Sequence, residues 1–284
     1  MATEARQGVH KGSTKAGVLV EPQWLEEHLH DPLLRLVEVD VSPASYDNGH
    51  IEGAVFWNVY RDLKDSDYHL IDKAATERLF ARSGIGRDSM VVLYGYAPAM
   101  GFWLLKLYGH SDVRILNYAR SEWQNDGQPW TADVANPTTA VYPLPDQDDR
   151  IRANRSMVED AIESSTCTVV DVRTDAEYRG ERFWPSGSVE PGGRAGHVPS
   201  AVNISIDDLY DEGGSFRPVT ELSRVFSPIE PSVNDEVIFY CTIGGRASTA
   251  WFVLTYLIGR DNVRVYDGSW AEWGKLEDTL VACP

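Results

Sequence analysis

The feature that most constrains this chain is that it repeats itself, in order, at a spacing of about 150 residues. Gly49-His50-Ile51-Glu52-Gly53-Ala54-Val55 returns as Gly196-His197-Val198-Pro199-Ser200-Ala201-Val202, with the two histidines 147 positions apart. Val91-Val92-Leu93-Tyr94 returns as Val237-Ile238-Phe239-Tyr240, 146 apart. Ser121-Glu122-Trp123 returns as Ala271-Glu272-Trp273, 150 apart. The apolar run Leu36 to Asp40 has its counterpart in Thr168 to Arg173, each read as a buried strand with an acid near its end. A chain of 284 residues built this way folds as two similar domains, each large enough to bury its own core.

Within each half, short β-rich apolar runs alternate with helical segments. That alternation predicts an α/β fold, in which each half is a doubly wound, mainly parallel sheet flanked by helices. Helices are expected over Phe102–Tyr108 and Ala250–Ile258, stopped by Gly109 and Gly259. The expected boundaries are a mobile tail at 1–16, an N-terminal domain at 17–135, a linker at 136–150 and a C-terminal domain at 151–284. Pro137, Pro143 and Pro145, with Asp146, Asp148 and Asp149, mark the linker.

Charge and cysteine usage narrow the function. The chain carries 26 basic against 43 acidic residues, so its net charge of -17 repels nucleic acid and anionic membrane surfaces, and neither is an expected partner. No apolar run approaches the ~18 residues of a membrane span, and Met1 to Ala16 lack a signal-peptide core, which predicts a cytoplasmic protein. Cys167, Cys241 and Cys283 are odd in number and widely spaced, fitting neither a disulfide framework nor a metal site. Cys167 opens an apolar run and reads as a small buried hydrophobe, and Cys283 sits at the C-terminal end.

Cys241 reads differently. Between the Tyr240 strand and the following helix the second half is expected to hold four more residues than the first, and that gap holds Cys241, which opens the run Cys241-Thr242-Ile243-Gly244-Gly245-Arg246-Ala247. Gly244 and Gly245 permit the positive φ with which a loop turns its N–H groups inward as an anion nest, and a helix beginning near Ala247 adds its positive end. Such surroundings stabilise a thiolate, with cysteines there titrating at roughly 3.5–7.5, so Cys241 is expected to be a nucleophile at neutral pH. Arg246 supplies a forked cation at the far end of the loop, expected to pair with an anionic substrate. Asp171 and Arg173, at a strand end facing the loop, are expected to support it, and Arg194 is a further candidate for positive charge. His50 and His197 are expected to make structural hydrogen bonds, since the motif occurs in both halves.

From about Gly17 to Trp273 the chain resembles the tandem-domain rhodaneses of the bacterial type, the thiosulfate and 3-mercaptopyruvate sulfurtransferases. The resemblance rests on the two Gly-His-Ile/Val segments, Asp171-Val172-Arg173 followed by Glu177-Tyr178, the six-residue loop from Cys241 to Arg246, and Asp267-Gly268-Ser269-Trp270. It implies two tandem rhodanese-like domains, with a catalytic cysteine in the second and a silent first domain, where Gly95 follows Tyr94. It further implies transfer of a sulfane sulfur from a small anionic donor, such as thiosulfate, to cyanide, a thiol or a protein thiol. The intermediate is a persulfide on Cys241, and no cofactor is implied. The loop differs from the Cys-Arg-Lys-Gly-Val-Thr of thiosulfate enzymes and from the Cys-Gly-Ser-Gly-Val-Thr of mercaptopyruvate enzymes, and Glu177 stands where many relatives carry a substrate-binding arginine. Two other readings compete: a docking module with no chemistry, and a cysteine phosphatase. The phosphatase loop is one residue longer, with arginine at the sixth position after cysteine, where this chain has Ala247.

Overall fold

In a computed structural model the residues described are 17–229 and 235–283, and the expected mobile tail at 1–16 lies outside them. The first half contains strands β1 (Leu19–Val20), β2 (Leu34–Asp40), β3 (His50–Ile51), β4 (Val55–Asn58), β5 (Met90–Gly95), β6 (Val113–Leu116) and β7 (Trp130–Thr131). The second contains β8 (Arg152–Ala153), β9 (Cys167–Asp171), β10 (Val202–Asn203), β11 (Glu236–Tyr240) and β12 (Val263–Tyr266). The first sheet runs β4-β2-β5-β6-β1 and the second β10-β9-β11-β12-β8, so each strand has a counterpart at the same place. Every pairing within these two sheets is parallel. Parallel strands buried on both faces need apolar runs, which is what β5 and β11 supply.

The helices of the first half are α1 (Pro22–His28), α2 (Ala44–Asp47), α3 (Val59–Asp62), α4 (Lys73–Arg82), α5 (Pro98–Leu107) and α6 (Arg120–Asn125). Those of the second are α7 (Arg155–Ile162), α8 (Asp175–Tyr178), α9 (Val219–Val225), α10 (Gly245–Phe252) and α11 (Ser269–Trp273). The expected helix at Ala250–Ile258 begins earlier, at Gly245, and its last turn widens into a π segment over Val253–Leu257. Gly109 and Gly259 follow the helical segments with φ of +69° and +87°, a conformation that favours glycine.

Packing joins the halves. Phe102 of α5 lies 4.9 Å from the Phe252 ring of α10 and 5.0 Å from the Tyr256 ring, and a single apolar cluster runs through both halves. Phe102, Trp251 and Phe252 are all buried, each contributing roughly 1.5–3 kcal/mol by leaving water. The 136–150 segment has neither helix nor strand. It lies against the first half, with Tyr142 and Leu144 buried and the Leu144 N–H donating to Glu77.

Register corrects one detail of the repeat. Glu38 lies opposite Tyr94, as Asp171 lies opposite Tyr240, so Glu38 and not Asp40 is the counterpart of Asp171.

Candidate active site

Cys241 is the first residue after β11, at the carboxyl end of a central strand, where parallel sheets place their sites. Gly244 takes φ +90° at the start of α10, and its N–H donates to Cys241 Sγ at 3.1 Å. A side chain at Gly244 would be strained by that φ, and its Cβ would stand 3.1 Å from the Asp267 carbonyl. Gly245 needs no such freedom. It is the first helical residue, its φ is not positive, and a Cβ there would meet only Met100 at 3.8 Å.

The loop is clamped from the segment after β12. The Cys241 N–H donates to Ser269 Oγ at 3.2 Å, and the Cys241 and Thr242 carbonyls accept from the Trp270 and Ala271 N–H groups at 3.0 and 2.9 Å. Ser269 holds φ +52°, an unfavourable conformation for a non-glycine residue, and its hydroxyl donates to the Tyr266 carbonyl at 2.7 Å. Beneath the loop, the Tyr240 hydroxyl donates to Asp171 at 2.6 Å, and Asp171 pairs with Arg173 at 2.7 Å with both side chains fully buried. Arg173 also stacks on Trp270, 4.5 Å from the ring centre. Asp171 thus supports the strand that ends at Cys241 by way of Tyr240 and Arg173.

Arg246 does not project toward substrate as a free cation. Its guanidinium donates to both Glu177 oxygens at 2.8 Å and to Thr242 Oγ1 at 2.6 Å. Burial would push the Glu177 carboxyl up, but Arg246 outweighs it and holds it at about 2. Arg246 also lines the cavity beside Cys241, so its expected pairing with the donor's charge competes with a bidentate ion pair, the strongest geometry open to a guanidinium. Glu177, in turn, receives the Thr242 hydroxyl at 3.0 Å, so the pair fixes the loop's shape.

A cavity of about 290 Å³ opens above Cys241, walled by both halves. Val41, Tyr60 and Tyr96 come from the first half, and Trp184, Tyr210 and Thr249 from the second. Tyr60 and Tyr96 are exposed at 43% and 65%, which puts aromatic surface at the cavity wall.

The chain as a whole is similar to known proteins. A model of the rhodanese-like domain matches this chain twice, over residues 21–126 and 154–276. The chain belongs to the rhodanese-like family. Among its curated relatives is the sulfur carrier protein TtuD of Thermus thermophilus, 39% identical over 93% of this chain and 96% of the relative. Another, SseA of Mycobacterium bovis, is 41% identical over 90% of this chain and 87% of its own length. Among solved structures, the 3-mercaptopyruvate sulfotransferase SseA of Escherichia coli shares the fold with a TM-score of 0.77 at 23% identity, over 89% of this chain and 98% of that one.

In this rhodanese-like chain the structure gathers Cys241 to Ala247, Asp171 and Arg173 at one strand end. Arg194 is elsewhere. Its guanidinium donates to the carbonyls of Trp273 and Thr279 at 3.2 and 2.8 Å and to Leu276, holding the chain that follows α11, and it does not line the cavity. His50 and His197 each lie 2.9 and 2.8 Å from the carbonyl of a tyrosine, Tyr46 and Tyr178, on whose ring they stack. Sequence reasoning did not find Ser269, Tyr60, Tyr96 or Lys64. Ser269 stood inside a segment used only as a family marker, and the other three lie in the half without the cysteine. Among the described residues no group of histidines, cysteines and acids could hold a metal ion, and no helix is long and apolar enough to cross a membrane.

Proposed function

We propose that this chain is a sulfurtransferase that moves a sulfane sulfur from thiosulfate, or a related small anionic donor, to a thiol, a protein thiol or cyanide. The observation that carries the reading is Cys241 Sγ at the foot of α10, accepting the Gly244 N–H at 3.1 Å beside a cavity walled by both halves. The Cys241 thiolate attacks the outer sulfur of the donor. A Cys–S–S bond forms as the donor's S–S bond breaks, and sulfite leaves with the electron pair. An acceptor such as cyanide then attacks the outer sulfur of the persulfide, leaves as thiocyanate and returns the thiolate. The loop and helix N–H groups stabilise negative sulfur throughout by preorganised dipoles. No step in this sequence calls for a metal or an organic cofactor.

The Arg246–Glu177 pair gives a second donor a specific claim. With that guanidinium neutralised, a donor bearing a single carboxylate, 3-mercaptopyruvate, fits the cavity's charge better than the thiosulfate dianion does. Steady-state rates with the two donors side by side decide between them. Intact mass after incubation with either donor should show one added sulfur on Cys241, removable by cyanide. No added sulfur with any donor would turn the reading to a docking module.

A further inference from the structure

The first half reaches the cysteine loop with one buried cation. Lys64 follows α3, is only 4% exposed, and donates from Nζ to the Asp267 carbonyl at 2.9 Å. That carbonyl backs the Gly244 turn, and a Cβ built on Gly244 would stand 3.4 Å from Lys64 Nζ. The ammonium therefore sits directly behind the residue whose N–H faces Cys241 Sγ. The Asp267 carboxylate ties the same junction, accepting the Leu70 N–H at 2.8 Å and Arg152 at 3.0 and 3.2 Å. Burial pushes the Lys64 ammonium down to about 8, while Asp267 and Cys241 act on it in the opposite direction.

Other charges act on Lys64 or line the cavity beside Cys241. Arg246 of α10 is matched by Glu177 of α8, Arg152 by Asp267, and Asp65 lies next to Lys64 in the chain. Asp207 and Tyr60 stand in the cavity wall. Arg246 and Arg152 are each spent on a carboxylate, whereas the hydrogen bond of Lys64 goes to a carbonyl.

We propose that Lys64 is a positioning residue for the chemistry of Cys241: it braces the Gly244 turn through the Asp267 carbonyl and balances the negative charge that the reacting sulfur carries. The persulfide half of this statement rests on the sulfur-transfer reading, and the thiolate half does not. It also gives the catalytically silent half a direct part in the reaction, beyond walling the cavity.

The test is the pH profile of Cys241 alkylation by iodoacetamide, assigned by peptide mass, in the full chain and in Lys64→Gln and Lys64→Arg. Glutamine keeps a donor toward the carbonyl and removes the charge. Its profile should move to higher pH by about one unit, with alkylation near neutral pH roughly tenfold slower, and arginine should restore most of the loss. An unchanged profile in a folded Lys64→Gln, even with lower sulfur transfer, would overturn the proposal by showing a structural role alone. If Lys64→Gln does not fold, Lys64→Met carries the same comparison, and failure of both to fold would likewise assign Lys64 to the fold. Because alkylation needs no sulfur donor, failure of the persulfide reading is seen separately, as unmodified wild-type mass after incubation with donors.

Discussion

The two halves share a frame and differ in one loop. In the first, the His50 ring stacks on Tyr46 at 3.6 Å and Tyr46 donates to the Ala54 carbonyl at 2.8 Å; in the second, His197 stacks on Tyr178 at 3.7 Å and Tyr178 donates to Ala201 at 2.9 Å. Tyr94 accepts the Ile51 N–H at 3.1 Å, and Tyr240 accepts the Val198 N–H at 3.1 Å. Below each loop a carboxylate on the neighbouring strand meets an arginine, but the arginine comes from different places. Arg173 lies two residues after Asp171 in the chain, whereas Arg120, at the start of α6, stands 3.3 Å from Glu38. Burial pushes the Glu38 carboxyl up, more than its neighbours lower it. What the repeat preserves is a packing frame that holds a strand end in place. The halves part at the strand end, where Cys241 to Gly244 stand between β11 and α10 but only Tyr96 and Ala97 stand between β5 and α5; the expected four-residue gain is thus shared between this loop and the longer helix that follows it.

The largest expected effect removes the difference itself. Cys241→Ser should lower sulfur transfer by roughly a thousandfold or more, since serine is not an ionised nucleophile near neutral pH. Steady-state turnover and the loss of the added sulfur in intact mass both report it. Appreciable turnover in this variant would mean that the two halves do not divide the work as described.

Next comes the ion pair that shapes the loop, which has no counterpart beside Gly95. Glu177→Gln leaves Arg246 with an uncompensated buried charge and should cost about 3–5 kcal/mol, read by urea unfolding at pH 7. The Glu177 carboxyl titrates at about 2 in the fold against an ordinary 4.5, so its contribution is complete above pH 4.5 and disappears as pH falls toward 2. The stability gap between wild type and variant should therefore close on acidification across that window. Arg246→Ala should reduce kcat/KM by similar factors for thiosulfate and for a neutral sulfane donor, because it disturbs loop shape. A loss confined to the anionic donor would return Arg246 to the substrate.

Restoring a cysteine to the first half is the third way to break the comparison. Gly95 holds φ +105°, and a Cβ there would lie 2.9 Å from the Val39 carbonyl and 3.1 Å from Glu38. Gly95→Cys should destabilise the chain by about 1–3 kcal/mol and gain no persulfide, since the shorter loop passes straight into Pro98 of α5. Added sulfur at position 95 would contradict this.

Much of this frame was legible before any coordinates. The repeat, the alternation of apolar runs with helical segments and the glycine stops led to two parallel sheets, because buried parallel strands and helix ends leave strong local marks in sequence. Cys241 and Gly244 were legible for the same reason: the turn requires a residue that tolerates φ +90°. Partner choice was not. Nothing local tells Arg246 to turn to Glu177, 69 positions away, instead of to a substrate, and nothing in Arg61-Asp62-Leu63-Lys64-Asp65 marks the third cationic or acidic residue of that run as the one to be buried against Asp267. Arg194 likewise reads as a loop cation until the carbonyls after α11 take up its donors. Long-range pairing of charged groups depends on the assembled fold, and periodicity carries no record of it.

The smallest effect tests whether reactivity belongs to the loop or to the second half at large. Cys167 lies in that same half, at the start of β9, half-buried beside Glu236. Burial, reinforced by the negative charge of Glu236, pushes its thiol up to about 12, so almost none of it is thiolate at pH 8. Cys283, by contrast, is exposed and far from the cavity. Cys167→Ser and Cys283→Ser should each leave sulfur transfer within about twofold of wild type. Iodoacetamide at pH 8 should label Cys241 and Cys283 while sparing Cys167, and prior incubation with saturating donor should add the mass of one sulfur to the Cys241 adduct alone. Labelling of Cys167 at a rate near that of Cys241 would show that the second half activates its thiols generally, and the assignment of reactivity to the loop clamped by Gly244 and Ser269 would fail.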